Sequence, residues 1–266
     1  ARAATLAIQA RSCKTFREFS LECLEKKRLE WSNPKHAKQW LYTLEEFAFP
    51  VIGDTPVDEV NMEHILSILN PIWANKTETA SRLRGRLEWV LAAATTLRLR
   101  EGANPATWRG HLQTILPAPR KIAKTKHFKA LSYQQIPALL LQLQNLCTAG
   151  SLALEFTILN ASRSGEVFGG LRSEVDGDIW TIPGERMKAK KEHRVPLCPR
   201  SVEILQIANA MDPDSEYLFS RKGKPLSGMA MTMIMRRLKL DATVHGFRSA
   251  FRDWASEETN HPSEVI

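Results

Sequence analysis

The sequence lacks the features that mark secreted, membrane and disulfide-bonded proteins. It has no run of about 18 apolar residues and no charged-then-apolar N-terminus, so neither membrane insertion nor secretion is indicated. Its 4 cysteines are scattered, with no C-x-x-C pair and no histidine at metal-ligand spacing: Cys13, Cys23, Cys147 and Cys198. We therefore expect reduced, structural cysteines, no zinc site and a cytoplasmic protein.

The sequence also has few tyrosines and lacks clusters of metal-ligating residues. The 3 tyrosines, Tyr42, Tyr133 and Tyr217, are each interpreted as packing residues. No cluster of Asp, Glu and His has metal-ligand spacing, so we expect no metal ion. The chain begins at Ala1 without Met and stops at Ile266 within a predicted helix, which indicates that both ends are cut.

Positive charge is in excess, and it is concentrated in one stretch. The 266 residues carry a net charge of +8, which suits a polyanionic partner such as nucleic acid. Residues 1–116 contain 16 basic and 13 acidic side chains, whereas residues 131–266 contain 16 of each. The stretch between them has no acid and supplies the five linker cations: Arg120, Lys121, Lys124, Lys126 and Lys129. We expect these five side chains to lie along DNA phosphates.

The first 116 residues have the spacing of a small helical bundle. Thr15 and Glu18 form a capping box, and apolar residues then recur at helical intervals. Further helices are predicted from Val57 to about Pro71, from Thr77 to Arg100 and from Trp108 to Leu116. Pro117 and Pro119 cannot continue a helix, so a domain boundary is predicted there, followed by a basic linker over 117–130.

Residues 131–266 mix helices with a few strands. Ser132 and Gln135 read as a second capping box, and helical spacing continues to Leu159. β-branched and aromatic residues then predict strands over 176–183 and 193–197, joined by a basic hairpin, before helices return. The predicted fold class is mainly α with a small β-sheet: a helical domain, a linker and a mixed α/β domain.

Three short motifs carry candidate chemistry. The first, Ala161-Ser162-Arg163-Ser164-Gly165-Glu166, follows an apolar helix, and the second is the basic run at residues 187–191. The third, His245-Gly246-Phe247-Arg248, places an imidazole and a guanidinium one helical turn apart, where both can reach one anion. Each motif alone indicates a solvated surface rather than a site.

Their order and context resemble the tyrosine recombinase catalytic domain, in particular the integrases of the satellite-phage and pathogenicity-island branch. The matching segments are L-N-A-S-R-S-G-E-V-F-G-G-L-R, a basic strand-turn-strand ending H-R-V-P-L, and H-G-F-R-S-A-F-R-D-W-A. The resemblance covers residues 131–266. Residues 12–116 are similar to the family's helical core-binding domain through an F-x-x-F start and the turn I-G-D-T-P-V-D-E-V.

The resemblance implies roles for individual residues. Arg163 matches the first catalytic arginine and Glu166 its supporting acid, while His245 and Arg248 match the H-x-x-R pair. Lys188 matches the hairpin lysine, with Lys190 as the alternative, and Lys190 and Lys191 are expected to contact DNA. Two guanidiniums can clamp the charge that develops on a phosphate, a lysine can protonate the departing oxygen and an imidazole can accept a proton.

The family also implies partners and a missing residue. Its members integrate or excise mobile DNA through a 3′-phosphotyrosine intermediate, without a cofactor, as tetramers on paired sites in duplex DNA. Their nucleophilic tyrosine follows H-x-x-R, whereas all three tyrosines here precede His245. We therefore expect two domains that grip DNA from both sides without cutting it. A type IB topoisomerase and a non-catalytic DNA-binding prophage remnant remain alternatives.

Overall fold

Two compact units, Ala1–Lys126 and His127–Ile266, make up the chain. The structure is a computed structural model that describes residues 14–31, 34–123, 128–187 and 189–262. Each unit has its own apolar core. Both units are mainly helical and, among the described residues, the strands lie in the second unit, which confirms the predicted fold class. Within the described ranges, no helix has both the length and the hydropathy needed to cross a membrane.

The first unit is built from helices around a single core. Its helices are α1 (Phe16–Arg28), α2 (Pro34–Thr43), α3 (Phe49–Ile52), α4 (Met62–Trp73), α5 (Thr77–Thr96) and α6 (Pro119–Ile122), with a π-helical turn at Leu44–Ala48 and a 3-10 turn at Leu112–Thr114. The predicted capping box at α1 is confirmed, because Thr15 accepts from the Glu18 backbone N–H and the Glu18 carboxylate accepts from that of Thr15. Phe16 is fully buried at the start of this helix.

Three predicted helix boundaries in this unit are wrong. Helix α4 begins at Met62, because Asn61 accepts the His64 backbone N–H at 3.1 Å and so caps the helix there. Helix α5 ends at Thr96, and Arg98 then adopts the left-handed conformation with φ of 57°. The helix predicted over 108–116 is only a 3-10 turn after Gly110, whose φ is 68°.

The second unit surrounds one apolar helix. Its helices are α7 (Ile136–Leu146), α8 (Ala149–Leu159), α9 (Ser164–Phe168), α10 (Pro199–Met211), α11 (Ala230–Arg237) and α12 (Gly246–Glu258), with 3-10 turns at Tyr133–Gln135, Arg172–Glu174 and Gly184–Arg186. Helix α8 is buried on nearly every side, including Leu152, Leu154 and Phe156. It packs against α7, α10 and α11, so it fixes the position of the loop that follows it.

Two small antiparallel sheets complete this unit. Strands β1 (Val175–Asp176), β2 (Ile179–Ile182) and β3 (His193–Pro196) form one sheet, and β4 (Ser220–Arg221) and β5 (Lys224–Pro225) form the other. In the first sheet Trp180 pairs with Val195, so the two predicted strands do form a hairpin, with shorter strands than predicted. The basic run at 187–191 therefore lies in the connection between β2 and β3.

Two other predictions about side chains are corrected. Ser132 caps no helix, because a 3-10 turn follows it and α7 begins at Ile136 with Pro137 in its first turn. Tyr42 is 59% exposed, so it is not a packing residue. Tyr133 and Tyr217 are partly buried.

Candidate functional site

Arg163 and Glu166 are joined at the start of α9. The Glu166 carboxylate accepts the Arg163 backbone N–H at 2.8 Å and the Arg163 guanidinium N–H at 2.6 Å. Glu166 is 8% exposed and Arg163 is 48% exposed. A nearly buried carboxylate thus holds a guanidinium whose remaining N–H groups stay open to solvent or to a ligand.

Arg248 reaches the same place from α12. Its guanidinium donates to the backbone carbonyl of Ala161, two residues before Arg163. Ala161 has a φ of 46°, a left-handed conformation that is unfavourable for a residue with a Cβ atom. Backbone strain is therefore stored where the two arginines meet, as is common at binding and catalytic sites.

The electrostatics of this pair favour an anion. Burial lowers the pKa of Arg248, the positive charge of Arg163 lowers it further, and the Glu166 carboxylate acts in the opposite direction. Arg163 bonds the Glu166 carboxylate and Arg248 bonds the Ala161 carbonyl, so one carboxylate acts on two neighbouring guanidiniums. Such an arrangement can bind a phosphate with charge-assisted hydrogen bonds. Throughout the described part of the chain, no group of three or more His, Cys, Asp or Glu side chains could hold a metal ion.

His245 lies at the N-terminal end of α12 and is exposed. Its ring packs in a T-shaped arrangement with that of Phe128, with ring centroids 4.6 Å apart. Gly246 allows this approach, since a Cβ atom there would lie 2.1 Å from the Lys129 carbonyl oxygen. Thr243 also donates its backbone N–H to that oxygen at 2.9 Å. Residues 128–130 are therefore held against the start of α12, immediately beside the imidazole.

The basic residues between β2 and β3 are only partly described. Lys188 lies outside the described residues. Lys190 and Lys191 are exposed, and Lys190 has a left-handed φ of 55°. Gly184 lies close to the Lys190 carbonyl oxygen, which a Cβ atom at Gly184 would approach to 3.0 Å. The assignment of the hairpin lysine to Lys188, with Lys190 as the alternative, stays a prediction.

Arg186 connects this hairpin to the arginine pair, and the sequence analysis did not identify it. Its guanidinium donates to the Glu166 backbone carbonyl and to the Glu174 carboxylate. Glu174 is 7% exposed and also accepts from the Trp180 indole N–H at 2.9 Å. Arg186 thus fixes the main chain of the residue that holds Arg163. No sequence motif marks it, because its acceptors are distant along the chain.

The five linker cations differ in their surroundings. Arg120 and Lys121 are exposed on α6, while Lys124 and Lys126 lie outside the described residues. Lys129 forms an exposed ion pair with Asp241 at 2.7 Å. Exposed pairs of this kind are weak and screened by salt, so Lys129 can still exchange its partner for a phosphate. DNA contact by the linker stays a prediction.

Comparison with known proteins identifies a common family. A family model described as the phage integrase central domain matches residues 16–111. Prophage integrase IntZ of Escherichia coli K12 is 30% identical over 250 residues, covering 89% of this chain and 58% of that protein. The integrase of Enterobacteria phage P4 is 27% identical over 247 residues, covering 84% of this chain and 54% of that protein. The chain therefore spans little more than half the length of these relatives.

Solved structures share the fold. A lambda integrase dimer bound to a COC′ core site superposes with a TM-score of 0.75 at 14% identity, covering 96% of this chain and 74% of that one. The Tn1549 transposon integrase in complex with circular intermediate DNA gives a TM-score of 0.69 at 14% identity, covering 94% of this chain and 90% of that one. The family model and the integrase relatives support a tyrosine recombinase of the phage integrase type, and the solved structures share its fold.

Proposed function

We propose that this chain is the DNA-binding and catalytic part of a site-specific recombinase that integrates or excises mobile DNA. The observation that carries the proposal is the convergence of Arg163 and Arg248 at one point beside a single carboxylate, Glu166. Partial burial strengthens the electrostatic repulsion between the two guanidiniums, because water screens it less. A bound anion at this point offsets that repulsion. A DNA phosphate is an anion that both guanidiniums can clamp.

The proposed chemistry assigns one task to each group. A tyrosine oxygen attacks the phosphorus and the bond to the 5′ oxygen breaks, which leaves a 3′-phosphotyrosine and a free 5′ hydroxyl. Arg163 and Arg248 stabilise the charge on the nonbridging oxygens. His245 accepts the phenolic proton and Lys188 donates a proton to the departing oxygen. Rejoining runs through the same steps in reverse with a new 5′ hydroxyl.

The nucleophile is proposed to lie outside these 266 residues. The Tyr133 hydroxyl lies within hydrogen-bond distance of two carboxylates, 3.0 Å from Glu257 and 2.8 Å from Glu258, and its single proton is donated to this acidic pair. These bonds raise the pKa of the Tyr133 phenol, which is the opposite of what an attacking oxygen needs. Tyr42 belongs to the other unit, and Tyr217 bridges by its backbone to Leu171. The chain on its own is therefore expected to bind DNA without cleaving it.

Domains and partners follow from the same proposal. We assign core binding to residues 1–116, a linker to 117–130 and the catalytic domain to 131–266. The family match over 16–111 and the boundary between units at Lys126 support this division. The proposed partner is duplex DNA carrying attachment sites, and the proposed assembly is a tetramer on DNA in the bacterial cytoplasm. A lambda integrase tetramer bound to a Holliday junction is a structural neighbour, with a TM-score of 0.75.

A covalent-capture experiment tests the function. A nicked suicide substrate with the attachment site is incubated with the 266-residue chain and, separately, with the product of the complete open reading frame. We expect a 3′-linked protein–DNA adduct only with the latter, and loss of that adduct when its tyrosine becomes Phe. Relaxation of supercoiled DNA without recombination sites would favour the topoisomerase alternative. Binding without an adduct from either protein would favour the prophage remnant.

A further inference from the structure

The short hairpin formed by β4 and β5 presents three cations on a tight turn. Ser220 pairs with Pro225 and Arg221 with Lys224, so the turn consists of Lys222 and Gly223 alone. Arg221, Lys222 and Lys224 are all exposed, and the hairpin contains no acidic residue. Within the described part of the chain, none of the three forms an ion pair. We refer to residues 220–225 as the basic hairpin.

The turn has an unfavourable residue at its first central position. Lys222 and Gly223 both have positive φ, 54° and 71°, as in a type I′ turn. This turn type favours Asn-Gly, and a lysine in the left-handed region is strained. Arg98 and Lys239 are also left-handed, but each follows a helix C-terminus, where a positive charge is favoured. Lys222 has no such compensation.

The basic hairpin is held firmly despite its exposure. One Asp212 carboxylate oxygen accepts the Gly223 backbone N–H at 2.9 Å and the Ser220 hydroxyl at 2.7 Å. The Gly223 bond is the main cause of a lowered pKa at Asp212, as expected for a carboxylate whose charged form accepts hydrogen bonds. Arg172 in turn donates to the Asp212 backbone carbonyl at 2.6 Å. The turn is therefore fixed at its tip before any ligand arrives.

We propose that the basic hairpin binds phosphates of duplex DNA and that Lys222 keeps its strained conformation for this contact. The inference rests on the proposed function, since it names a further part of the same DNA interface. A strained lysine in an exposed turn indicates a functional reason to keep that residue. Because the tip of the turn is already anchored, its cations can bind a ligand without a further entropic cost of ordering the turn. Lys190 shows the same combination of left-handed backbone, exposure and positive charge.

The test uses a substitution that improves the turn and removes the charge. Lys222→Asn creates the preferred Asn-Gly turn, and we expect the melting temperature of the 266-residue chain to rise by about 2–4 °C. We expect weaker binding to duplex DNA, and a salt slope that is smaller by about 0.9 for the lost phosphate contact. Lys239→Asn is the matched control, because Lys239 is exposed in the same unit with the same φ of 54°. It should leave the salt slope unchanged, since a helix C-terminus repels phosphate.

A second variant distinguishes a specific contact between the anchored hairpin and DNA from diffuse attraction, that is, the general electrostatic attraction of a basic protein to DNA. Asp212→Ala removes a negative charge, so diffuse attraction alone predicts tighter DNA binding. Loss of the anchor predicts weaker binding, which is the result that we expect. An unchanged salt slope in Lys222→Asn, or tighter binding by Asp212→Ala, would overturn the inference while leaving the proposed function intact. Failure of the unaltered chain to bind duplex DNA would overturn both.

Discussion

Arg186 offers a strong test of how the candidate site is held together. It donates to the Glu166 backbone carbonyl and to the buried Glu174 carboxylate, and thereby joins the hairpin after β2 to the arginine pair. Arg186→Met removes both bonds and keeps an unbranched chain of similar length. We expect the Glu166 main chain to shift and the Arg163 guanidinium to lose its fixed position.

Arg200→Met is a control in the same unit that is expected to lower the free energy of unfolding by a similar amount. Arg186 is 22% exposed beside a carboxylate that is 7% exposed, and Arg200 is 28% exposed beside the fully buried Glu155. In each variant the carboxylate keeps one other donor, Trp180 or Gln144. We therefore expect each Met substitution to lower the free energy of unfolding by about 2–3 kcal/mol. Only Arg186 contacts the residue that holds Arg163.

Two measurements distinguish a positioning role from a general loss of stability. In the complete protein, Arg186→Met should slow single-turnover cleavage on the order of 10-fold to 100-fold with unchanged DNA affinity, because misplacement of a catalytic group is costly. In the 266-residue chain, the Arg163 amide, which donates to Glu166, should exchange its hydrogen faster. Arg200→Met should change neither quantity. Equal cleavage rates and equal amide exchange in the two variants would show that Arg186 does not position the arginine pair.

Three further predictions concern the rest of the chain. Replacing the five linker cations with Ala should reduce the salt slope of DNA binding by up to about 0.9 per phosphate contact, and an unchanged slope would remove the linker from the interface. Gly246→Ala should destabilise the second unit by about 1–3 kcal/mol, because its Cβ would collide with the Lys129 carbonyl; an unchanged melting temperature would contradict this. Burial raises the pKa of the Cys23 thiol to about 11, so at pH 8 a thiol reagent should modify the exposed Cys147 and Cys198 first. Rapid modification of Cys23 in the folded chain would show that its environment is open.

The sequence predicts the parts of the site that are local along the chain. Arg163 and Glu166 are one helical turn apart, as are His245 and Arg248, so their spacing alone indicates which side chains can meet. The contact between Arg248 and Ala161 joins residues 87 positions apart, and no spacing rule anticipates it. The resemblance to a known family suggested that the two pairs converge, and the structure supplies the contact.

The residues that the sequence analysis missed act through the backbone of distant segments. Arg186 bonds a carbonyl 20 residues earlier, and Gly246 is required only because the Lys129 carbonyl lies against it. The predicted start of helix α4 was wrong for a related reason. Val57 and Val60 are buried as their apolar spacing suggests, but they lie in a loop, because Asn61 caps the helix after them. At these two positions the apolar spacing indicated burial but not helix, and the capping residue determines where the helix begins.

A conservative substitution tests directly whether Arg163 and Arg248 grip one scissile phosphate. In the complete protein, Arg163→Lys keeps the charge but cannot form the bidentate fork. We predict that single-turnover cleavage of a suicide substrate falls on the order of 100-fold or more, while DNA affinity stays within about threefold, as expected for loss of a transition-state donor. Cleavage by Arg163→Lys at a near-normal rate would show that Arg163 does not clamp the scissile phosphate.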